Sequence, residues 1–165
     1  MNRRDIVIGL IVLAALAGIV YFRSRQPIPD ELQVPQTLST EDVLEEKLGL
    51  QIPEDVEKAE LKDVTGGTAS GIATRKFEAG TFTHAILADL PDPDPGTFYE
   101  GWLVRGSEGD PDFNLKSSGR MRVAKGGYLL EFQSATDYSD HGNVIVTLEE
   151  VADNIPEKHI LEGSF

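Results

Sequence analysis

The pattern of apolar and polar positions changes at about residue 64. From there to residue 165 the two kinds of residue alternate, and turn-forming residues recur roughly every eight to twelve positions. This combination predicts an all-β fold, an antiparallel β-sandwich of the Ig-like or Greek-key type, over residues 64–165. Strands are expected at residues 69–77, 81–90, 97–105, 120–124, 128–133, 143–150 and 158–165, with a weaker candidate at 112–116.

The alternation also predicts which side chains form the core. Residues 98–104 are apolar on both faces, which is typical of a central strand. Within this strand Gly101 should leave room for a neighbouring element, and Trp102 should be the packing centre. Elsewhere the predicted core faces are Phe82, Ile86, Ala88 and Leu90; Val144, Val146 and Leu148; and Leu161 with Phe165.

One hairpin can be predicted to its register. Gly126 and Gly127 together suit a two-residue turn that needs positive φ at both positions. Facing residues would then place apolar pairs on one side and an opposite-charge pair on the other. The predicted pairs are Val123 with Leu130, Met121 with Phe132, and Arg122 with Glu131.

The amino-terminal part of the chain contains a long apolar run. Residues 6–22 include no charged or strongly polar side chain, and as a helix they would span about 26 Å, close to the thickness of a bilayer core. They are predicted to form a transmembrane helix after a short tail, residues 1–5. A cleaved secretory signal is the alternative, because residues 15–17 read Ala-Leu-Ala. The apolar run continues past that site, which favours a retained anchor.

The predicted location is the cell membrane, crossed once, with the carboxy-terminal domain outside the cytoplasm. Two arginines flank each side of residues 6–22, so the positive-inside rule gives no decision between the two orientations. The long carboxy-terminal part can be translocated largely regardless of its charge, which favours the external orientation.

Residues 23–63 form an acidic segment rich in proline and glutamate. Such a composition is typical of a linker, but it also contains signals for two short helices. The first would be capped by Thr40 and end at Gly49, and the second would begin at Pro53 and extend to about Leu61. The linker serves either as a spacer or as a docking segment for a partner, with the spacer favoured.

Charge and composition exclude several functions. The net charge is -13, and because residues 1–26 have a charge of +3, the remainder has a charge of -16. A body this acidic disfavours nucleic-acid binding. The absence of cysteine excludes disulfides, thiolate catalysis and cysteine-based zinc sites.

No catalytic, cofactor-binding or metal-binding residues are predicted. His84, His141 and His159 have spacings that match no metal motif, and no catalytic motif is present, so the chain is predicted not to be an enzyme. Three acidic loops raise the possibility of calcium, but the ladder of ligands that calcium loops use is missing. These loops contain Asp92 and Asp94, Asp110 and Asp112, and Asp137 and Asp140.

Several stretches resemble the external carboxy-terminal domain of the anti-sigma-K factor (RskA) family. They are residues 88–91 (Ala-Asp-Leu-Pro), 96–104 (Gly-Thr-Phe-Tyr-Glu-Gly-Trp-Leu-Val), 144–149 (Val-Ile-Val-Thr-Leu-Glu), and Pro156 with 160–163 (Ile-Leu-Glu-Gly). The resemblance covers about residues 70–165. It departs at residues 150–153 (Glu-Val-Ala-Asp), where the family has Pro-Ala-Gly-Gly, and five residues replace the family's cytoplasmic sigma-binding domain.

The resemblance implies a sensor or protein-interaction domain on a membrane anchor, without the effector half of an anti-sigma factor. The expected partners are the membrane, through residues 6–22, and a protein. The alternative is a ligand-binding or calcium-dependent adhesion module of the cell envelope.

Overall fold

Nine strands and one short helix make up residues 38–165, which are the residues that the computed structural model describes. All strand pairs are antiparallel, so the predicted all-β antiparallel class is confirmed. The elements are α1 (Thr40–Leu48), β1 (Glu57–Asp63), β2 (Ser70–Glu78), β3 (Thr81–Asp89), β4 (Phe98–Arg105), β5 (Asn114–Arg120), β6 (Arg122–Ala124), β7 (Gly127–Ser134), β8 (Asn143–Glu149) and β9 (Lys158–Ser164).

The predicted tail, the predicted transmembrane helix at residues 6–22 and the first part of the predicted linker lie outside the described residues. Within residues 38–165, no helix is both long enough and apolar enough to cross a bilayer.

The strands are hydrogen-bonded in one continuous sheet, in the order β5-β4-β8-β9-β1-β2-β3-β7-β6. The pairing of β1 with β9 spans two residue pairs, Lys62 with Glu162 and Asp63 with Leu161. The sheet is nearly barrel-like. Its two walls, β5-β4-β8-β9 and β1-β2-β3-β7-β6, face each other as the two layers of a sandwich do.

The main core lies between the two walls. A Cβ atom at Gly101 in β4 would lie 2.7 Å from Ile86 Cδ1 in β3 and 2.8 Å from Leu130 Cδ1 in β7, so the predicted close approach at this glycine is confirmed. The rings of Tyr99 and Tyr128 also meet across the core, edge to face, at 5.1 Å. The predicted core faces are confirmed: Phe82, Ile86, Ala88, Leu90, Val144, Val146 and Leu161 are core members, and Leu148 and Phe165 pack against them.

Trp102 is buried, but it is not the centre of the main core. Because Gly101 and Leu103 face inward, Trp102 lies on the outer face of β4. Its indole Nε1–H donates to the Thr147 hydroxyl at 2.8 Å. The prediction that Trp102 is the packing centre is therefore wrong, because a strand that is apolar on both faces does not indicate which face meets the opposite wall.

Helix α1 stands where the sequence predicts the first linker helix, and its cap lies one residue earlier. Ser39 caps it with a capping box: the Ser39 hydroxyl accepts from the Asp42 N–H, and the Asp42 carboxylate accepts from the Ser39 N–H. Gly49 ends the helix with a φ of 57°. Leu44 and Leu48 are fully buried, and they form a second apolar cluster with Ile52, Ile72 and Leu87.

Through this cluster α1 covers part of the outer face of β2 and β3, so the compact unit extends over Leu38–Phe165 rather than beginning at residue 64. An ion pair between Lys47 and Asp89, at 2.5 Å, also joins the helix to β3.

The second predicted linker helix, from Pro53 to about Leu61, is wrong, because strand β1 occupies Glu57–Asp63. Ala59 and Leu61 face the core, and Glu60 between them lies toward the other side. Glutamate, lysine, alanine and leucine are good helix formers. Here the pairing of β1 with two neighbouring strands outweighs that local preference.

The predicted register of the β6–β7 hairpin is also wrong. The turn consists of Lys125 and Gly126, with φ values of 45° and 88°, and Ala124 pairs with Gly127. Every predicted partner is therefore shifted by two residues, and Arg122 lies opposite Leu129. Arg122 still forms its ion pair with Glu131, diagonally across the hairpin.

Gly127 has a packing reason to be glycine. A Cβ at this position would lie 2.6 Å from Leu48 Cδ2 and 2.8 Å from the Ala88 carbonyl oxygen. The second glycine of the pair therefore gives α1 room against the sheet, and the turn itself needs only the first.

Candidate functional site

A groove of about 770 Å³ lies on the outer face of the wall formed by β4, β5, β8 and β9. We call it the outer groove. Val104, Leu115 and Ile145, from three adjacent strands, line it. The register places them together, because Val104 pairs with Leu115 in β5 and Trp102, two residues before it, pairs with Ile145. Side chains two residues apart on a strand share a face, which makes this part of the groove apolar.

Two loops complete the groove with exposed apolar side chains. Phe113 lies in the loop between β4 and β5 and is 38% exposed, and Ile155 lies in the loop between β8 and β9 and is 67% exposed. Glu108, His159 and Glu162 supply its ionisable groups. The Nδ1 atom of His159 lies 2.6 Å from Glu162 Oε1.

The loop at residues 106–113 is held by hydrogen bonds within it and to β4. The Ser107 N–H donates to the Asp110 carboxylate at 2.9 Å, and the Phe113 N–H donates to the Asp110 carbonyl at 3.1 Å. Arg105 Nε donates to the Asp112 carbonyl at 3.0 Å. These bonds fix the backbone that positions Phe113.

The loop at residues 150–157 is held by carboxylates. Glu149, which is buried, accepts from the Glu157 N–H at 3.1 Å, and Glu157 in turn accepts from the Glu150 N–H at 2.6 Å. Asp153 accepts from the Ile155 N–H at 2.8 Å. These bonds fix the backbone that positions Ile155.

A second concavity, of about 500 Å³, lies at the end of the fold where β1 leads into β2 and β3 leads toward β4. We call it the acidic cleft. It is lined by four aspartates together with Tyr99 and Lys158. The aspartates are Asp63, Asp89, Asp92 and Asp94.

Three of these aspartates already have partners. Asp63 accepts from the Thr65 hydroxyl and from the N–H groups of Thr65, Gly67 and Ala69. These bonds, the Thr65 hydroxyl first, lower the pKa of Asp63 to about 2. Asp89 pairs with Lys47. The Asp63 carboxylate therefore shapes the turn between β1 and β2, and the Asp89 carboxylate holds α1 against β3.

Asp92 is the third. It accepts from the Tyr128 hydroxyl at 3.0 Å. Burial, followed by this bond to the carboxylate, raises the pKa of Tyr128 to about 12. Tyr99 donates to the Pro91 carbonyl at 3.1 Å, so the two tyrosines hold the loop that precedes β4.

The three acidic loops singled out in the sequence do not converge. Those of Asp92 and of Asp110 lie at opposite ends of β4, because one precedes the strand and the other follows it. The loop of Asp137 and Asp140 precedes Asn143, which pairs near the far end of β4, so it lies at the same end as Asp110. Within residues 38–165, no group of three histidine or acidic side chains is arranged to hold a metal ion.

The three histidines have different environments. His84 and His141 are buried, and His159 lies at the outer groove. No serine, threonine or tyrosine hydroxyl hydrogen-bonds to any of the three within the part of the chain that the structure describes. The partners of their ring nitrogens are the Thr74 carbonyl at 2.8 Å for His84, Asp140 at 2.6 Å and Asn114 at 2.9 Å for His141, and Glu162 for His159.

The outer groove is the feature that the sequence did not reveal. Its apolar side chains come from three strands and two loops, and only the tertiary fold places them side by side. A weak signal was present in Phe113 and Ile155, which are large apolar residues inside stretches rich in turn formers. No family model matches the chain, and comparison with curated proteins and with solved structures gives no match.

Proposed function

We propose that residues 38–165 form a protein-interaction domain that binds its partner in the outer groove. In this proposal residues 6–22 anchor the domain in the membrane, and the domain lies outside the cytoplasm, where it acts as a sensor or as part of a larger membrane assembly. The observation on which the proposal depends is the groove itself, with an apolar strand face between two exposed apolar side chains.

The physical basis is the free energy of burying apolar surface. Exposed apolar patches rimmed by polar groups are typical of protein-binding surfaces. Covering Phe113 and Ile155 would contribute roughly 25 cal/mol for each Å² of apolar area removed from water. Both lie on loops held by several hydrogen bonds, so little additional ordering opposes binding.

The sequence resemblance supports the same class of function. The external domain of anti-sigma-K factors is the family to which residues 70–165 are similar, and a sensor or interaction role on a membrane anchor follows from that likeness. The two facing walls of the sheet are compatible with the Ig-like sandwich proposed for this region. The acidic surface disfavours nucleic acid as the partner.

A second candidate function is a ligand-binding or calcium-dependent adhesion module, which would use the acidic cleft. Its four aspartates favour a cation. Three of them are already engaged by backbone N–H groups, a lysine or a tyrosine, so the cleft offers fewer free oxygens than its composition suggests. Thermal melting with and without millimolar calcium tests this function, since a ligand specific to the native state raises Tm.

Site-specific photo-crosslinking in cells tests the leading proposal. The full-length chain is produced with benzoylphenylalanine at position 113 or 155, and with the same group at Val123 as the control. Val123 is 70% exposed and lies on β6, away from the groove. We expect one discrete protein adduct from positions 113 and 155, and none from 123. If positions 113 and 155 capture only lipid or a second copy of the chain, the proposal is wrong.

A further inference from the structure

Apart from His159, the ionisable side chains that line the outer groove are carboxylates. Glu108 and Glu162 contribute carboxylates, and no lysine or arginine is among the lining residues. Glu162 is partnered by His159, whereas Glu108 has no ion pair within residues 38–165. The groove therefore combines apolar surface with unbalanced negative charge.

Nearby cations do not neutralise these carboxylates. Arg105, at the end of β4, is bound to the Asp140 carboxylate and to the Asp112 carbonyl. Lys158, at the start of β9, lines the acidic cleft instead. The described chain as a whole has 25 acidic and 11 basic side chains, a net charge of -14. A positively charged group on an occupant would thus meet carboxylates that lack a competing cation.

The shape of the groove favours an extended chain. Its volume of about 770 Å³ lies within the usual range of ligand sites, but small-molecule pockets bury most of their ligand, and here the side chain of Ile155 is largely open to solvent. In an extended peptide, alternate side chains point to the same side at a spacing of roughly 7 Å. Phe113, Ile155 and Glu108 all line the groove, so such a peptide would present its side chains to apolar surface and to a carboxylate.

We infer that the outer groove recognises an extended peptide segment of a partner protein that presents a large apolar side chain and, within a few residues of it, a lysine or arginine. This inference rests on the proposed function, because it takes the groove as the binding surface. The apolar side chain would pack between Phe113 and Ile155. The basic side chain would pair with Glu108, which supplies specificity and a faster association more than affinity.

Selection from a random twelve-residue peptide library displayed on phage, against the full-length protein in detergent, tests the inference. Enriched peptides are then synthesised and their Kd is measured by fluorescence anisotropy. Two groove variants are compared with matched controls: Ile155→Glu with Val123→Glu, and Glu108→Lys with Glu46→Lys. All four positions are at the surface, and neither control position lines the groove. Thermal melting shows that each variant is folded.

We expect enriched peptides to contain an aromatic or branched aliphatic residue within four positions of a lysine or arginine. Ile155→Glu should weaken their binding at least tenfold, and Glu108→Lys should weaken it about tenfold, mostly at low salt. The two control variants should bind within about twofold of the parent.

Other outcomes separate the two proposals. The inference is overturned, and the groove remains the binding surface, if the enriched peptides lack basic residues. The same holds if Glu108→Lys leaves their Kd unchanged while Ile155→Glu abolishes their binding. Peptides that bind every variant equally, or an absence of any enrichment, overturn both. Concentration-dependent self-association that Ile155→Glu abolishes would show that the occupant is a second copy, which also overturns the inference.

Discussion

The buried imidazole of His84 is the most unusual side chain of the main core. Its Nδ1–H donates to the Thr74 carbonyl at 2.8 Å, and its Nε2 has no hydrogen-bond partner. It also lies near the ring of Phe165, at a centroid distance of 6.3 Å. Burial, helped by the charge of Arg75, lowers the pKa of His84 to about 4. The folded protein therefore holds this imidazole neutral where the unfolded chain would protonate it.

We expect His84 to make the domain less stable as the pH falls from about 6.5 to 4. The pKa of His84 is lower in the folded state than in the unfolded one, so between these two values the unfolded state binds one more proton. The free energy of unfolding therefore falls by about 3 kcal/mol over the whole interval. His84→Leu should remove this part of the dependence. Urea unfolding at pH 7 and pH 4.5 measures the effect. An equal loss of stability in parent and variant would contradict the assignment.

Gly101 provides a second test at the level of single atoms. Gly101→Ala would place a methyl group 2.7 Å from Ile86 Cδ1 and 2.8 Å from Leu130 Cδ1. We expect a loss of about 1–3 kcal/mol in the free energy of unfolding, because a packed core cannot easily make room. Gly142→Ala is the matched control, since a Cβ there meets nothing within 4 Å. Similar denaturation midpoints for both variants would argue against the close packing of the two walls.

At the scale of elements, helix α1 stabilises the sheet although its sequence is typical of a linker. Leu44→Ala should destabilise the domain by about 2–5 kcal/mol, because Leu44 is fully buried in the second apolar cluster. Val43→Ala, on the exposed side of the same helix, should change stability by less than about 0.5 kcal/mol. Chemical denaturation followed by the fluorescence of Trp102 measures both. If Leu44→Ala were neutral, the helix would be no part of the folded unit.

Whether an element could be predicted from the sequence depends on which contacts stabilise it. Strands β2, β3, β7, β8 and β9 show a period of two with turn residues at their ends, and β4 is a continuous apolar run. The observed bounds of these six strands differ from the predicted ones by at most one residue. Strand β1 shows the same period in Ala59 and Leu61, but its residues also favour a helix. Only its neighbours in the sheet decide between the two structures.

The turn between β6 and β7 is another feature that the local sequence could not predict. Either Lys125-Gly126 or Gly126-Gly127 can form a two-residue turn, and two glycines favour the second choice locally. The observed turn leaves Gly127 in β7, where the Leu48 side chain of α1 and the Ala88 carbonyl of β3 leave no space for a Cβ. Contacts with a distant segment are invisible to a local pattern.

At the scale of the whole molecule, the excess of negative charge opposes the compact state. A net charge of -14 on residues 38–165 implies mutual repulsion, which salt screens. Raising sodium chloride from 10 to 300 mM should therefore raise Tm by a few degrees, as measured by circular dichroism. The triple variant Glu46→Gln, Glu54→Gln, Glu60→Gln, which removes three exposed carboxylates, should show a smaller response. A Tm that falls with salt would mean that ion pairs dominate instead.

The outer groove is also a property of the whole fold, and for this reason the pattern of residues along the chain could not predict it. Its lining comes from four strands and two loops that are far apart in the chain. The alternation predicts that each strand has two faces. It does not predict which outer face remains uncovered, because this depends on where α1 and the loops pack.

The position of β1 between β9 and β2 has a consequence for the order of folding. During synthesis β1, β2 and β3 leave the ribosome early and can pair as a meander. The other edge of β1 meets its partner only when β9 has emerged, after all the other strands of the domain. Until then, that edge offers unsatisfied backbone groups to any passing strand. A nascent chain stalled before residue 158 should therefore recruit chaperones, and release of the complete domain should end that association.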